Sequence, residues 1–366
     1  MRSLWLLVLA LVQLRLSIRN RAYLVRAALP DPSQSAWAAL WAARVDKSFR
    51  ATMGLDVASF LRLHSFVALA FTLGGPIATC SLDSFGILGL TLHHLNSTMR
   101  QKTLCQVFGL TPAVCCRLLE VGLAGLDAAA IFIPECRIVW PKRARMDLSA
   151  QKVLQRVSGL AGHSVFGFVD GLNLEIENPM DADEQNAYYN GWLKGVFCSQ
   201  VLVFDPEGLI IWVRYNCPGS WHDITVASPL LQHMLTVPHP YCLLGDSGFS
   251  YGPHMKNKIL IPLKSGMLLP AKARARERAQ RPSVDITTAR QAAEWGMRSL
   301  QGTFARFKSV LPSDHAKRAR TLRLVWALHN FQVRHTGITQ IGQVFDEDWA
   351  PGGIGDKDRV AHFYGI

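Results

Sequence analysis

The sequence has no pair of cysteines two residues apart and no Cys/His grouping at zinc-ligand spacing: its eight cysteines stand at 80, 105, 115, 116, 136, 198, 217 and 242. A structural zinc site is therefore excluded as an expectation. Cys198 follows Val196-Phe197 and Cys242 precedes Leu243-Leu244, positions where a free thiol behaves as a small core hydrophobe, so a reducing compartment is expected. Long apolar runs are also lacking. Leu4 to Leu14 is almost uninterrupted apolar sequence, with Arg15, Arg19 and Arg21 after it, but it is shorter than the roughly 20 residues a bilayer span needs. Its charge follows more than precedes it, and no small-x-small cleavage site stands just beyond. A helix packed on the body, or a misread translation start, is expected in place of secretion, and no membrane association. There are no internal repeats and no low-complexity stretch beyond the Ala/Arg-rich Pro270 to Arg281, which excludes a solenoid. Acidic residues are scarce, 27 against 39 Lys and Arg for a net charge of +12. The imbalance concentrates between Lys264 and Arg323, with 14 basic and 4 acidic residues. That stretch suits a polyanion, but a long-range field does not distinguish nucleic acid from acidic membrane or acidic protein.

Against these absences, 49% of the residues are hydrophobic and 18% charged, the composition of a chain that packs a core. Its 366 residues leave room for a catalytic domain of about 200 residues and a smaller helical one. The pattern divides into an apolar N-terminal segment (1–35), a helical domain (36–140), an α/β domain (141–335) and a tail (336–366). Helical spacing runs through Phe49, Met53, Val57, Phe60, Leu61 and Leu63, breaks at Gly74-Gly75-Pro76 and resumes over Leu82 to Leu95. Residues 101–121 read as helix, turn, helix: Gly109 suits a left-handed cap, Thr111 an N-cap and Pro112 the first helical position. A DNA-binding helix-turn-helix and an ordinary helical hairpin both fit, since the second helix offers little beyond Arg117 for base contact.

After Val139-Trp140-Pro141-Lys142-Arg143 the pattern turns to strands: Val165 to Val169, Gly195 to Phe204, and Leu209 to Tyr215. Asp205-Pro206-Glu207-Gly208 marks a hairpin between the last two. Trp221 to Leu235 reads as helix, Tyr241 to Leu244 as a buried strand, Pro270 to Arg281 as an exposed loop, and about Ile286 to Val310 as a helix with an apolar stripe of Ala293, Met297, Leu300, Phe304 and Phe307. The order is βββαβα.

Asp170 and Asp246 each end an apolar strand and precede Gly171 or Ser247-Gly248. A lone Asp-Gly is more often a turn former. On adjacent parallel strands, however, two such carboxylates lie side by side, and like charges that close call for a cation. Oxygen-only ligands suit Mg²⁺ or Mn²⁺, ions that serve phosphodiester cleavage. Glu294 is the acidic residue at the edge of the apolar stripe. Its competitors are Glu277, flanked by arginines in the Ala/Arg-rich stretch, and Asp285, placed to cap the helix start.

At these residues the sequence resembles the PIF/Harbinger superfamily of DDE transposases and the Harbinger transposase-derived nucleases. The resemblance runs through Val169-Asp170-Gly171, Tyr188 to Gly195, Pro218-Gly219-Ser220-Trp221-His222-Asp223, Leu243-Leu244-Gly245-Asp246-Ser247-Gly248-Phe249 and Glu294 to Phe304. It covers residues 165–310 well and 50–130 loosely. It implies an RNase H-like mixed sheet with an N-terminal all-helical domain and a divalent cation, Mg²⁺ or Mn²⁺, held by Asp170, Asp223, Asp246 and Glu294. Catalysis is then expected at Asp170, Asp246 and Glu294, on DNA as substrate, in the nucleus, with a Myb-like DNA-binding partner protein and homo-oligomerisation as further expectations. On the residues alone, Asp223 also fits as the cap of the following helix, and His222 is a neighbour of the site. A domesticated DNA-binding or scaffold protein that no longer cuts is the alternative the same fold allows.

Overall fold

A computed structural model describes residues 2–19, 24–73, 81–249, 257–263, 273–337 and 339–345. Its centre is a mixed sheet of β1 (Ser164–Glu175), β2 (Tyr189–Asn190), β3 (Gly195–Phe204), β4 (Ile210–Pro218), β5 (Tyr241–Leu244) and β6 (Ile259–Leu260). The strand order is β4-β3-β1-β5-β6, with β2 on the same edge of β3 as β4, pairing only its first residues. The β1–β3 and β3–β4 pairs are antiparallel, β1–β5 and β5–β6 parallel. This arrangement is compatible with a DDE nuclease fold. The β3–β4 hairpin closes where turn chemistry places it: Gly208 takes φ 87° and the Asp205 carboxylate accepts from the Glu207 and Leu209 amides at 3.0 and 2.9 Å.

Side-chain alternation gives the sheet two buried faces. Phe168, Leu202, Phe204 and Leu244 join one cluster, and Val169, Val201, Val203 and Leu243 the other. Helix α8 (Arg143–Arg156) precedes the sheet and α9 (Ala182–Tyr188) precedes β2. On the second face lie two short helices, α10 (Asp223–Val226) and α11 (Ser228–Thr236), in place of one helix from Trp221 to Leu235: the chain breaks at Ala227, and Pro229 opens the new turn.

The first face is covered by α12 (Ala273–Thr303), α13 (His315–Thr336) and α14 (Gln340–Phe345). All five residues of the expected stripe are buried, but the helix bounds differ from the sequence expectation. α12 begins at Ala273, inside the stretch expected as loop, and ends at Thr303. Ala and Arg are among the best helix formers, so exposure and helicity are compatible there. Asp285 consequently lies inside α12 and is not its cap. Its carboxylate packs against Gly159, where an added Cβ would lie 1.8 Å from Oδ2. Residues 264–272, and the side chains of Arg274, Arg276, Glu277, Arg278 and Arg281, fall outside the described residues.

Ahead of the sheet, the helical region comprises α1 (Arg2–Arg19), α2 (Ala36–Ala43), α3 (Asp46–Met53), α4 (Val57–Leu73), α5 (Ser84–Asn96), α6 (Gln101–Phe108) and α7 (Pro112–Ala130). Left-handed Arg44 and Gly54 break the apparent run of residues 35–75 into three helices. Gly74-Gly75-Pro76 lies outside the described residues. Helices α6 and α7 meet at 93° across Gly109. The outward stripe of α7 is Ala113, Cys116, Arg117, Glu120, Ala124 and Ala128, while Leu118, Leu123 and Leu126 join the core. The expectation that Leu4 to Leu14 packs on the body is not met: Leu4, Trp5, Leu6 and Leu7 are exposed. No single described helix is long and apolar enough to cross a membrane.

Candidate active site

Strand register brings the first two carboxylates together. Phe168 pairs with Leu244 across the parallel β1–β5 pair; Asp170 lies two residues further along β1, and Asp246 two residues past Leu244, where β5 ends. Asp170 does not end its strand, as its Asp-Gly sequence suggests. β1 continues to Glu175, paired with β3 alone, so Asp170 sits where the parallel neighbour stops and its edge becomes accessible. The Gly171 amide donates to Asp170 Oδ1 at 2.9 Å, and the Gly248 amide to Asp246 Oδ1 at 2.8 Å. Each carboxylate is oriented by a nearby backbone amide, that of Asp170 from within β1 and that of Asp246 from the segment after β5.

Asp223 approaches from the other side of β1. A Cβ on Gly171 would lie 2.6 Å from the Asp223 carboxylate, so glycine is required there for this approach. Residue alternation assigns Asp170 to the face of Phe168 and Leu172, whereas the position of Gly171 opens onto the face covered by α10. His222 is the residue preceding α10 and Asp223 its first, so Asp223 is not the cap. Burial is the main reason both carboxyls titrate high. Asp170 is pushed up to about 6 by burial, with the negative charges of Asp246 and Asp223 adding to it and the Gly171 amide and Arg290 opposing. Asp223 is raised by burial and by Asp246.

Glu294 reaches this group indirectly. Its Oε1 accepts from Arg290 Nη2 at 2.8 Å, one helical turn earlier, and Arg290 in turn lowers the Asp170 titration. Arg290 Nε is buried without a partner. Arg290 is thus part of the site, and its spacing four residues before Glu294 was the available sequence signal. The structure brings Asp170, Asp223 and Asp246 into one electrostatic field and ties Glu294 to it through Arg290. Among the described residues, no three His, Cys, Asp or Glu side chains converge closely enough to enclose a metal ion. A divalent cation still fits the donor set. Mg²⁺ retains several waters and is commonly held by only one or two carboxylates together with substrate phosphate, and the partly buried aspartates, whose negative charges act on one another, have Arg290 as their nearby counter-charge. A cleft of about 500 Å³ lies elsewhere, lined by Arg50, Asn96, Arg298, Thr303 and Gln332 among others. None of the four acids borders it.

A mixed sheet carrying aspartates at the accessible end of its parallel pair is a layout suited to phosphoryl chemistry. Residues 169–330 match the family described as DDE superfamily endonuclease, which supports reading them as a nuclease domain of the DDE transposase type. No curated protein and no solved structure matches the chain.

Proposed function

We propose that the chain is a divalent-metal-dependent DNA endonuclease of transposase origin, of the PIF/Harbinger type with an RNase H-like catalytic sheet, acting on phosphodiester bonds in the nucleus. The observation that carries this is the placement of Asp170 and Asp246 two residues beyond the paired Phe168 and Leu244 of β1 and β5, with the charges of Asp246 and Asp223 helping burial to raise the titration of Asp170. Asp170 and Asp246 hold a Mg²⁺ or Mn²⁺ ion from the strand side and Glu294 completes the site from α12, with Asp223 supplying further negative charge or a ligand across β1. When bound, such an ion supplies Lewis-acid assistance to attack on phosphorus. Arg290 balances the carboxylates and holds Glu294 toward the strands. Strand transfer uses the same chemistry, with a DNA 3′ hydroxyl as nucleophile. A Myb-like DNA-binding protein and a second copy of the chain are the proposed partners.

The test is nicking of supercoiled plasmid and end-labelled duplex with Mg²⁺ or Mn²⁺. Wild type is expected to cut, and Asp170→Asn, Asp246→Asn and Glu294→Gln to lose about two orders of magnitude or more in rate. The Arg290–Glu294 ion pair favours one second reading, a domesticated DNA-binding or scaffold protein in which arginine has taken a cation's place. DNA binding without cutting, under every metal and substrate tried, would establish that reading instead.

A further inference from the structure

The turn from β2 to β3 exposes an aromatic side chain that the folded core does not use. Trp192 is 91% exposed, although its large apolar surface favours burial. The turn is held by specific bonds. Asn190 Oδ1 accepts from the Trp192 and Leu193 amides at 3.1 and 3.0 Å, and Asn190 Nδ2 donates to the Gly219 carbonyl at 2.8 Å. Lys194 turns the chain at φ 55°. Gly219 lies so close to this hairpin that a Cβ there would meet the Phe197 carbonyl oxygen at 2.2 Å. Below it, the buried Arg318 guanidinium lies 4.7 Å from the Tyr188 ring centre and donates to the Pro312 and Ser313 carbonyls. Trp192 is therefore presented on a braced turn.

The same bonds fix where this turn sits relative to the carboxylates. Gly219 is four residues before Asp223, so the two are no more than about 14 Å apart. Between them Trp221 is 38% exposed, with the Arg214 guanidinium 5.5 Å from its ring centre. Trp192 is thus an accessible indole on the turn tied to Gly219, and Trp221 a partly exposed one on the segment from Gly219 to Asp223. Nearby charge is mixed: Lys194 and Arg214 are basic, while Asp181, Asp183 and Glu184 open α9. A phosphate backbone gains little from such a surface, whereas a nucleobase offers a flat π face whose stacking does not need net charge.

We propose that Trp192 forms a stacking platform for an unpaired base of the DNA strand whose phosphodiester lies at the carboxylates. The inference rests on the DNA reading above and adds a structural preference: DNA with a frayed or single-stranded flank over continuous duplex. The indole takes the base as it leaves the helix, and the backbone beyond it runs toward Asp223, Asp170 and Asp246.

The experiment uses the full chain in EDTA, so that binding is read without cutting, and two duplexes carrying 2-aminopurine, one fully paired and one with a four-nucleotide single-stranded flank. Anisotropy gives affinity and 2-aminopurine emission reports stacking. Wild type is expected to prefer the flanked DNA by about tenfold and to quench its probe. Trp192→Ala should lose preference and quenching, and Trp192→Phe should keep most of both. The position is exposed, so unchanged thermal melts of the variants will separate this from misfolding. Trp192→Ala that retains preference and quenching overturns the proposal alone, as does a change confined to self-association on gel filtration. Wild type that binds neither DNA overturns it together with the DNA reading.

Discussion

Asp170 has less water and more negative neighbours than an ordinary strand carboxylate. Burial, then Asp246 and Asp223, push its titration up to about 6 against an ordinary 3.8, and this fixes the sign of a stability effect. Below the unfolded value both states are protonated and nothing is lost. Between the two values the unfolded chain gives up its proton while the folded one keeps it, so stability falls as pH rises through that window and stays low above it. Asp170→Asn removes the penalty. In EDTA, urea unfolding should show the variant more stable than wild type by about 2 kcal/mol at pH 7.5, with the difference vanishing toward pH 4. Adding Mg²⁺ should narrow the gap by stabilising wild type alone. A gain independent of pH would mean that the carboxylate is not buried among like charges. The catalytic requirement and the folding requirement pull this residue in opposite directions.

At the scale of elements, α13 anchors the outer antiparallel strand to the rest. Asn330, fully buried, accepts from the Ile210 amide at 2.8 Å and donates to the Ile210 and Arg137 carbonyls at 2.8 and 3.1 Å. One side chain thereby satisfies the start of β4 and the segment leading into α8. Asn330→Ala should cost about 2–4 kcal/mol in chemical denaturation, because it strands the buried Ile210 amide and carbonyl, while the Arg137 carbonyl keeps Arg334 as donor; a loss under 1 kcal/mol would show that water replaces the amide. None of these contacts was readable beforehand, since the helical pattern of residues 315–336 says nothing of which strand an asparagine meets. Local chemistry was readable: Asp205 to Gly208 closes its hairpin, and the strands ahead of Asp170 and Asp246, β1 and β5, are parallel neighbours. Legibility failed where partners set the outcome. The sequence pattern ends the first strand at Asp170-Gly171, yet β1 runs on to Glu175 because β3 pairs with it throughout. The Ala/Arg-rich segment fits loop or helix until α12 settles it, and Asp223 on the face opposite Asp170 follows from the missing Cβ of Gly171, a three-dimensional fact.

Over the whole molecule, part of the basic excess is used internally. Arg320 pairs with Glu120 at 2.6 Å, Arg323 Nε donates to Asp127 at 2.8 Å, and Arg62 pairs with Glu135 at 2.9 Å. The first two join α13 to α7, so these arginines of the basic stretch brace the helical region against the sheet domain. The same α13 also holds His329, whose Nε2 donates to the Gly208 carbonyl at 2.9 Å beneath the β3–β4 turn. Burial pushes His329 down to about 4, and burial with the nearby Arg306 charge does the same to His94; His93 and His64 are lowered too, chiefly by burial. For a lowered histidine the unfolded chain gains its proton first, so stability is complete above about 6.5 and is lost as pH falls toward the folded value. His329 alone accounts for roughly 2–3 kcal/mol across that window. Asp170 returns about 2 kcal/mol over much of the same range, and His94 adds to the loss, so the balance is destabilisation by acid. The unfolding midpoint should drop steeply between pH 6.5 and 4.5. His329→Gln keeps a donor for Gly208 but cannot titrate, and should flatten the drop. A variant as acid-labile as wild type would place the pH dependence in groups other than this buried ring.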